Sequence, residues 1–466
     1  MNDRGQSRTP VPTGVYKNYK TILQPEKLVL KLFYIYIIIY RIETLRFQSQ
    51  NFGRYDLKLI FLTLYIGDVF MEYKFSGPVA DLKPSAIREI LKFTSMPGYI
   101  PFAAGNPAPE ALPCDTVAKI TADIMSNRPI EALQYSVTEG YNPLRNHLKE
   151  YMKSKHNIGR EFDELIITTG AQQVMNLATM VLCNRGDTII CENPSFIGSL
   201  NAFRSFGVNL VGVEVESDGM NIEKLESALK ANPDARFIYT IPTFQNPSGL
   251  CMSIEKRKAV YELAKKYGVL ILEDNPYSDT RFSGEELPTI KSMDEDGIVI
   301  YAGTFSKVIS PGLRVGFTVA PAPIVGKMVV CKQTSDVHTN ILGQLICHDF
   351  MTKYDYEAHL DRNREVYRKK CDLMCGLIDE HIGNYVEYVK PEGGLFVWLK
   401  LPEKVDMVGF CTEAVKTRVA TVPGTAFVTN PSDVSHCFRM NYSTPTDEQI
   451  VTGMDILGKV AKDYLK

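Results

Sequence analysis

The chain has 466 residues, of which 45% are hydrophobic and 23% are charged, and its formal net charge is -2. This length is typical of a large domain with a smaller partner, and the near-neutral charge gives no reason to expect binding to nucleic acid or to an anionic membrane. The ten cysteines lie scattered without metal-ligand spacing, so we expect no metal site, and reduced thiols in a cytoplasm are the simplest interpretation.

The first 70 residues differ in composition from the rest of the chain. Residues 28–40 form an apolar run that Lys31 interrupts, and it is shorter than the about 20 residues that a membrane-spanning helix needs. The stretch is rich in Ile, Tyr, Phe, Leu and Lys, as AT-rich DNA encodes, and the composition becomes ordinary from Met71 onward. We therefore expect residues 1–70 to be a non-native extension that results from an early start codon. A membrane-associating arm is the alternative.

From about residue 165, short apolar runs alternate with helical patterns such as residues 253–268. This alternation predicts an α/β fold in which helices cover both faces of a largely parallel, seven-stranded sheet. Ligands of such sheets collect at the carboxyl ends of the strands, so functional motifs should follow strands. The runs expected as strands are 164–169, 187–192, 209–215, 235–242, 269–274, 297–303 and 313–321.

The pattern changes towards the C-terminus. A long helical stretch at 339–382 precedes two strand-like runs, which the pair Gly393-Gly394 separates as a turn. Another helix is expected at 404–417, and the last one begins at about Thr446. These elements predict a smaller α+β domain. The regions expected after residue 70 are a segment that packs with the small domain, the large domain and the small domain itself, at 71–105, 106–339 and 340–466.

The most informative segment is YAGTFSKVISPGLRVGF, residues 301–317. Lys307 follows a strand in a hydroxyl-rich turn, and Arg314 lies beside the next strand. A buried lysine is costly unless it has a chemical role, and lysines of depressed pKa are those that bond covalently to carbonyl compounds. A solvated lysine in a surface loop is the alternative, and it is the correct interpretation for most lysines.

Two other strand ends carry polar motifs. Asp274 closes the apolar run 269–274 and is followed by Tyr277, while TTGAQQ, at 168–173, follows another strand and opens a helix. Backbone N–H groups at the start of a helix, together with the helix dipole, can bind a phosphate. Each motif is weak alone, because aspartate is common in turns and many strand–helix junctions look alike.

Together these motifs resemble those of the class I/II aminotransferases of fold type I, which depend on pyridoxal 5′-phosphate. Residues 301–317 are similar to the family's cofactor-lysine motif, with Thr304 in place of the commoner serine. The resemblance extends over residues 75–466 and is strongest to the branch of 2-aminoadipate, kynurenine and multi-substrate aminotransferases. It implies transfer of an amino group from an L-amino acid of the 2-aminoadipate, aromatic or branched-chain type to a 2-oxo acid such as 2-oxoglutarate.

The resemblance also implies how the cofactor is held. Lys307 would bind pyridoxal phosphate covalently and move a proton between the substrate Cα and the cofactor C4′. Asp274 would keep the pyridine nitrogen protonated, and Tyr277 and Asn246 would contact the phenolic oxygen. The Asn246-Pro247 bond is a candidate cis peptide. The residues expected to bind the phosphate are Gly170, Ala171, Gln172, Thr304, Ser306 and Arg314.

The remaining implied roles concern ring stacking, substrate and a second subunit. Phe196 would stack on the cofactor ring, although an aromatic residue after a strand is most often part of a core. Arg439 would bind the substrate α-carboxylate as a bidentate pair; a surface arginine on a strand edge is the alternative. Gly105 and Asn246 would line the substrate. Tyr135 would reach the phosphate of a neighbouring subunit, which requires a homodimer.

Other functions share these motifs. A lyase, decarboxylase or racemase can use the same lysine and aspartate, because the cofactor stabilises the carbanion and the protein selects the bond that breaks. A transcription regulator with an aminotransferase-like domain needs a basic helix-turn-helix before that domain, and residues 1–70 show no such pattern. A catalytically inactive relative would lack Lys307 or Asp274, and both are present.

Overall fold

The computed structural model describes residues 75–77 and 98–465. The expected extension at 1–70 lies outside these residues, as does most of the expected segment at 71–105. Within the described ranges, no helix is both long enough and apolar enough to cross a membrane.

The larger sheet confirms the predicted α/β class. Its spatial order is β1-β8-β7-β6-β5-β2-β3-β4. The sequence predicted seven strands because β4 has only two residues, too few for a periodic signal, and simply turns back on β3 as an antiparallel pair. The strands are β1 (Asp163–Thr168), β2 (Thr188–Asn193), β3 (Asn209–Glu216), β4 (Gly219–Met220), β5 (Phe237–Thr240), β6 (Leu270–Asp274), β7 (Val299–Thr304) and β8 (Gly316–Pro321).

Strand direction determines which residues meet at one edge of this sheet. Strands β3, β2, β5, β6 and β7 are parallel, whereas β8 is antiparallel to its neighbours β7 and β1. Because β8 runs the other way, its first residue, Gly316, pairs with Thr304 at the end of β7 and with Thr168 at the end of β1. The ends of the parallel strands and the start of β8 therefore lie at the same edge.

Helices cover both faces of the large sheet. Leu165 and Ile167 of β1 pack into one apolar cluster and Ile166 into another, as the alternation of side chains along a strand requires. Such burial on both faces explains the continuous apolar runs of the sequence. The helices up to this point are α1 (Cys114–Asn127), α2 (Pro129–Leu133), α3 (Asn142–His156), α4 (Ala171–Leu182), α5 (Ile197–Ser205), α6 (Ile222–Ala231), α7 (Ile254–Tyr267) and α8 (Ala322–Ser335).

The long helical stretch expected at 339–382 consists of two helices, α9 (Ile341–Lys353) and α10 (Tyr356–His381). The break occurs where the Asp355 side chain accepts a hydrogen bond from the backbone N–H of Ala358 and so caps α10. A capping aspartate satisfies an N–H that has no partner within its helix, which stabilises a helix start at this point. Short 3₁₀ turns occur at Pro109–Ala111, Ser278–Thr280, Lys291–Met293, Pro311–Leu313 and Gly424–Ala426.

A second, antiparallel sheet follows α10. Its order is β11-β12-β10-β9, and it packs with the last helix, which Thr446 and Gln449 begin with a capping box. Phe102 belongs to the same apolar cluster as Phe410 and Leu457. The domain boundaries given above stay predictions. The elements are β9 (Glu387–Tyr388), β10 (Phe396–Lys400), α11 (Met407–Lys416), β11 (Val422–Pro423), β12 (Cys437–Asn441) and α12 (Asp447–Tyr464).

Candidate active site

Lys307 lies in the turn between β7 and β8, at the shared strand edge. Its Nζ donates to the carbonyl of Gly105 at 2.8 Å. The turn is anchored by α10, because His359 Nε2 lies 2.6 Å from the carbonyl oxygen of Val308 and Asn363 Nδ2 donates to the same oxygen at 3.1 Å. The residue after Lys307 is therefore fixed, which directs the lysine towards the segment that contains Gly105.

The electrostatic surroundings of Lys307 favour a neutral amine. Its side chain is partly buried, and this loss of hydration, with the positive charges of Arg439 and Arg314, lowers the pKa of Lys307 to about 8. Among the described residues, no carboxylate forms an ion pair with it. Lysines in such surroundings can act as nucleophiles and bases near neutral pH.

Asp274 ends β6 and is 5% exposed. Its Oδ2 accepts a hydrogen bond from the Tyr239 hydroxyl at 2.9 Å, whereas its Oδ1 has no hydrogen-bond partner among the described residues. Burial raises the pKa of Asp274 to about 7; the Tyr239 hydrogen bond opposes this rise and the charge of Glu192 adds to it. A buried carboxylate oxygen without a partner is rare in proteins and suits a ligand that donates a proton.

Arg439, on β12, is buried and is held by neutral acceptors. Its Nη1 donates to Asn246 Oδ1 at 2.8 Å, and its Nη2 donates to the carbonyls of Ala103 and Ala104 at 3.0 and 3.3 Å. The guanidinium lies over the ring of Phe396, 4.1 Å from its centroid. Burial lowers the pKa of Arg439 to about 10. Among the described residues, the fork therefore has no carboxylate partner of the kind that a buried arginine usually pairs with.

Asn246 lies on the loop after β5, and its peptide bond to Pro247 is cis, as the resemblance implied. Arg257, which is fully buried, closes this loop by donating from Nη2 to the carbonyl of Pro242 at 2.8 Å and from Nε to that of Met252 at 2.9 Å. The loop thereby places Asn246 between two site residues, since its side chain hydrogen-bonds Tyr277 as well as Arg439.

The residues expected at the phosphate lie where β1, β7 and β8 meet. Gly170 has a φ of +71°, and a Cβ at this position would lie 2.4 Å from Nη2 of Arg314. Only glycine suits both the backbone conformation and the approach of the arginine. Thr304 Oγ1 donates to Ser306 Oγ at 2.9 Å. Ala171 is the first residue of α4, and the backbone N–H groups at this helix start lie at the same edge.

Gln172 and Phe196 connect the starts of two helices. Gln172 Nε2 donates to the carbonyl of Gly198 at 3.1 Å, and Phe196 precedes α5 as its N-cap residue. The Phe196 ring is only partly buried, so part of its surface is accessible to a ligand.

Tyr135 is the one expected site residue that stands apart from the others within the described chain. It is 82% exposed, and its ring meets that of His338 edge-on with centroids 5.8 Å apart. Gly105, by contrast, contributes its carbonyl to Lys307 directly. Sequence reasoning missed the residues behind the site, because they lie within apolar runs or on helix faces; they are Glu192, Ser199, Tyr239, Arg257, His359 and Asn363.

Known proteins of similar sequence and structure identify the family of this chain. Residues 97–457 match the family of class I and II aminotransferases. The chain is 37% identical over 399 residues to aromatic-amino-acid aminotransferase 1 of Thermococcus litoralis, covering 85% of this chain and 95% of that protein. It is 37% identical to the 2-aminoadipate transaminase of Thermus thermophilus, with 82% and 95% covered.

Among solved structures, a kynurenine aminotransferase of Pyrococcus horikoshii in complex with PMP superposes with a TM-score of 0.81 at 34% identity, covering 84% of this chain and 98% of that one. The chain therefore belongs to the class I and II aminotransferases, the enzymes of fold type I that transfer amino groups with pyridoxal phosphate.

The described residues fit this cofactor. The Oδ1 of Asp274, which has no partner among the described residues, suits a protonated ring nitrogen. The lowered pKa of Lys307 suits a covalent bond to an aldehyde, and the close approach of Arg314 to Gly170 at a helix start suits a phosphate. The three features lie at successive strand ends of one sheet edge, so a single molecule can contact all of them.

Proposed function

We propose that this aminotransferase takes its amino group from an L-amino acid of the 2-aminoadipate, aromatic or branched-chain type and passes it to 2-oxoglutarate. The observation that carries the proposal is that Lys307 and Arg439 both donate hydrogen bonds to the backbone of residues 103–105. Lys307 donates to the carbonyl of Gly105, and Arg439 donates to those of Ala103 and Ala104. An amine that can move a proton and a guanidinium that can bind a carboxylate are thus held side by side.

Arg439 is proposed to bind the α-carboxylate of the substrate. Its present acceptors are an amide and two backbone carbonyls, and a carboxylate is a stronger acceptor because it is charged and can bind both arms of the fork. With the carboxylate fixed there, and with Gly105 and Asn246 lining the substrate, the Cα would be oriented towards Lys307.

Lys307 is proposed to take the proton from the substrate Cα and to deliver it to C4′ of the cofactor. When bound, pyridoxal phosphate supplies an electron-withdrawing ring that stabilises negative charge at Cα. Asp274 would hold the proton on the ring nitrogen, Tyr277 and Asn246 would hydrogen-bond the phenolic oxygen, and Phe196 would cover one ring face. The residues that we propose to bind the phosphate are Gly170, Ala171, Gln172, Thr304, Ser306 and Arg314.

A homodimer is part of the proposal. Ile130, Leu133, Tyr135 and Val137 are 75%, 69%, 82% and 50% exposed, and they lie within eight consecutive residues. Clusters of exposed apolar side chains usually mark an interaction surface. Burial of this patch against a second copy would carry Tyr135 to the phosphate of the partner's site. The ten free cysteines favour a reducing compartment, and we propose the cytoplasm.

Absorbance spectra of the holoenzyme, started at Met71 and titrated with a panel of L-amino acids, test the proposal. We expect the yellow band of the lysine-bound cofactor to bleach with a donor of the 2-aminoadipate, aromatic or branched-chain type and to return with 2-oxoglutarate. Product formation without any acceptor would instead identify a lyase or decarboxylase, and bleaching by a different donor class would overturn the substrate assignment.

A further inference from the structure

Tyr239 lies directly behind Asp274 and contacts it with its hydroxyl. The residue is on β5, next to β6, and is fully buried. Its hydroxyl oxygen lies 2.9 Å from Asp274 Oδ2 and 2.8 Å from Ser199 Oγ. The Phe203 ring packs edge-on against the Tyr239 ring, with centroids 5.2 Å apart, so the phenol is held in one orientation. The three polar groups form a line that ends at the carboxylate.

The direction of the hydrogen bonds in this line follows from the chemistry of its members. An ionised carboxylate only accepts, and a phenol has a single proton, so Tyr239 donates to Asp274. The Ser199 hydroxyl can both donate and accept, and it therefore donates to the phenol oxygen. A phenol that receives such a bond becomes a stronger donor, because hydrogen bonds in a chain polarise one another.

No other described side chain or backbone group donates to Asp274. Its Oδ1 has no partner in the described part of the chain. The neighbouring buried acid, Glu192, is occupied by three donors of its own: the Thr240 hydroxyl at 2.6 Å, the Ile241 N–H at 3.1 Å and Gln245 Nε2 at 3.2 Å. A carboxylate away from water stays ionised only when donors replace its hydration. Asp274 thus relies on Tyr239 for this, and burial without that donor would raise the pKa of Asp274 further.

We propose that Tyr239, aligned by Ser199, is a positioning residue that keeps Asp274 ionised and so keeps the proton on the ring nitrogen of the cofactor. A proton shared by a pyridine nitrogen and a carboxylate stays with the more basic of the two. Removal of the phenol makes the Asp274 oxygen more basic, the proton moves from nitrogen to oxygen, and no other bond changes. The neutral ring then withdraws electrons from Cα less strongly. The inference rests on the proposed role of Asp274.

The test compares wild type with Tyr239→Phe, both reconstituted with cofactor that is ¹⁵N-labelled at the ring nitrogen. We expect the ¹⁵N resonance of wild type at the position of a protonated pyridine, and that of Tyr239→Phe displaced towards neutral pyridine. The kcat for the best donor should fall by roughly 10- to 100-fold, the effect of losing a hydrogen bond to a charged group, with little change in KM. Ser199→Ala should give a smaller displacement in the same direction.

Tyr261→Phe is the matched control. It also removes a hydrogen bond from a tyrosine to a carboxylate, the 2.6 Å bond from Tyr261, on α7, to Asp296. The hydroxyl partners of Tyr261 lie within residues 294–296 and include none of the site residues. Its ¹⁵N resonance should stay at the wild-type position. Fluorotyrosine at position 239, a stronger donor of nearly the same size, should keep the protonated signal. Ser199→Ala carries the test if Tyr239→Phe does not fold, because it too weakens the donor to Asp274.

Two outcomes separate the possible failures. An unchanged protonated signal in both Tyr239→Phe and Ser199→Ala overturns the role of Tyr239 and leaves that of Asp274 intact. A neutral ring nitrogen already present in wild type overturns the proposed role of Asp274 and, with it, this inference.

Discussion

Two lysines packed against the large sheet show what separates a structural cation from a reactive one. Lys291 is fully buried, and its Nζ forms ion pairs with Asp163 at 2.7 Å and Asp294 at 2.9 Å. Lys307 is only partly buried and donates to one neutral carbonyl. Its loss of hydration, with the charges of Arg439 and Arg314, lowers its pKa. The structural lysine, Lys291, is therefore more deeply buried than the reactive Lys307. Among the described residues Lys307 has no carboxylate partner, and this absence, together with the loss of water, makes its amine available.

Replacement of the reactive lysine gives the largest expected effect on activity. Lys307→Ala should abolish turnover, since general acid–base catalysis alone contributes about 10²- to 10⁴-fold. The free energy of unfolding should stay the same or rise, because sites built for chemistry are often less stable than they could be. Steady-state rates and urea unfolding of the apoenzyme measure both quantities. Wild-type turnover in this variant would refute the assignment.

Replacement of the structural lysine should give the opposite result. Lys291→Met leaves Asp163 and Asp294 buried without their cation, and breaking a buried ion pair in this way costs about 3–5 kcal/mol. Urea unfolding should report that loss, while the folded fraction keeps its kcat. Lys149→Met is the control, because its pair with Glu164 is exposed at the surface and should contribute about 0–1 kcal/mol. Equal losses in both variants would contradict the comparison.

Arg439→Gln tests the contribution of the neighbouring cation. The KM for the amino acid should rise by about 10- to 100-fold, because hydrogen bonds to a charged group contribute about 1.5–3 kcal/mol. The pKa of Lys307 should also rise from about 8, since the Arg439 charge is one cause of its depression. Kinetics of the holoenzyme and titration of the amine in the apoenzyme give the two values. An unchanged KM would place the carboxylate elsewhere.

The smallest expected effect concerns the pH dependence of the rate at which the apoenzyme binds pyridoxal phosphate covalently. Only the neutral amine forms a covalent bond with the aldehyde, so capture of pyridoxal phosphate by the apoenzyme should accelerate with rising pH. Because the pKa of Lys307 is lowered to about 8, the rate should level off above about that pH. An ordinary lysine would continue to gain until about pH 10. Stopped-flow absorbance between these limits decides which curve applies.

Much of the fold could be predicted because its strands are apolar on both faces. The run at 269–274 predicted β6, which spans Leu270–Asp274, and the other six runs likewise contain strands. Strand direction could not be predicted in the same way. Nothing in the local pattern of β8 indicates that it runs antiparallel to β7 and β1, because pairing depends on partners that are distant in sequence.

The contacts of the candidate site also differ in how far they could be predicted, because some are local in sequence and others join distant residues. Thr304 and Arg314 flank Lys307 within one short motif, so their proximity is visible in the sequence. Arg439 and Asn246 contact each other although they are 193 residues apart, and only the resemblance to a family could bring them together. Tyr239 lies within the run 235–242, where a tyrosine is an ordinary strand residue. Its contact with Asp274 becomes visible only when β5 and β6 are placed side by side.

The positive charges of the site also attract anionic ligands that are still in solution. Arg314 and Arg439 both lie close enough to Lys307 to influence its amine, and the positive charge of two neighbouring arginines extends its field beyond van der Waals contact. Doubly negative ligands, a phosphate ester or a dicarboxylic 2-oxo acid, should therefore associate faster than singly charged ones of the same size. Added salt, which reduces the range of the field to about 8–10 Å at physiological strength, should slow the former more than the latter.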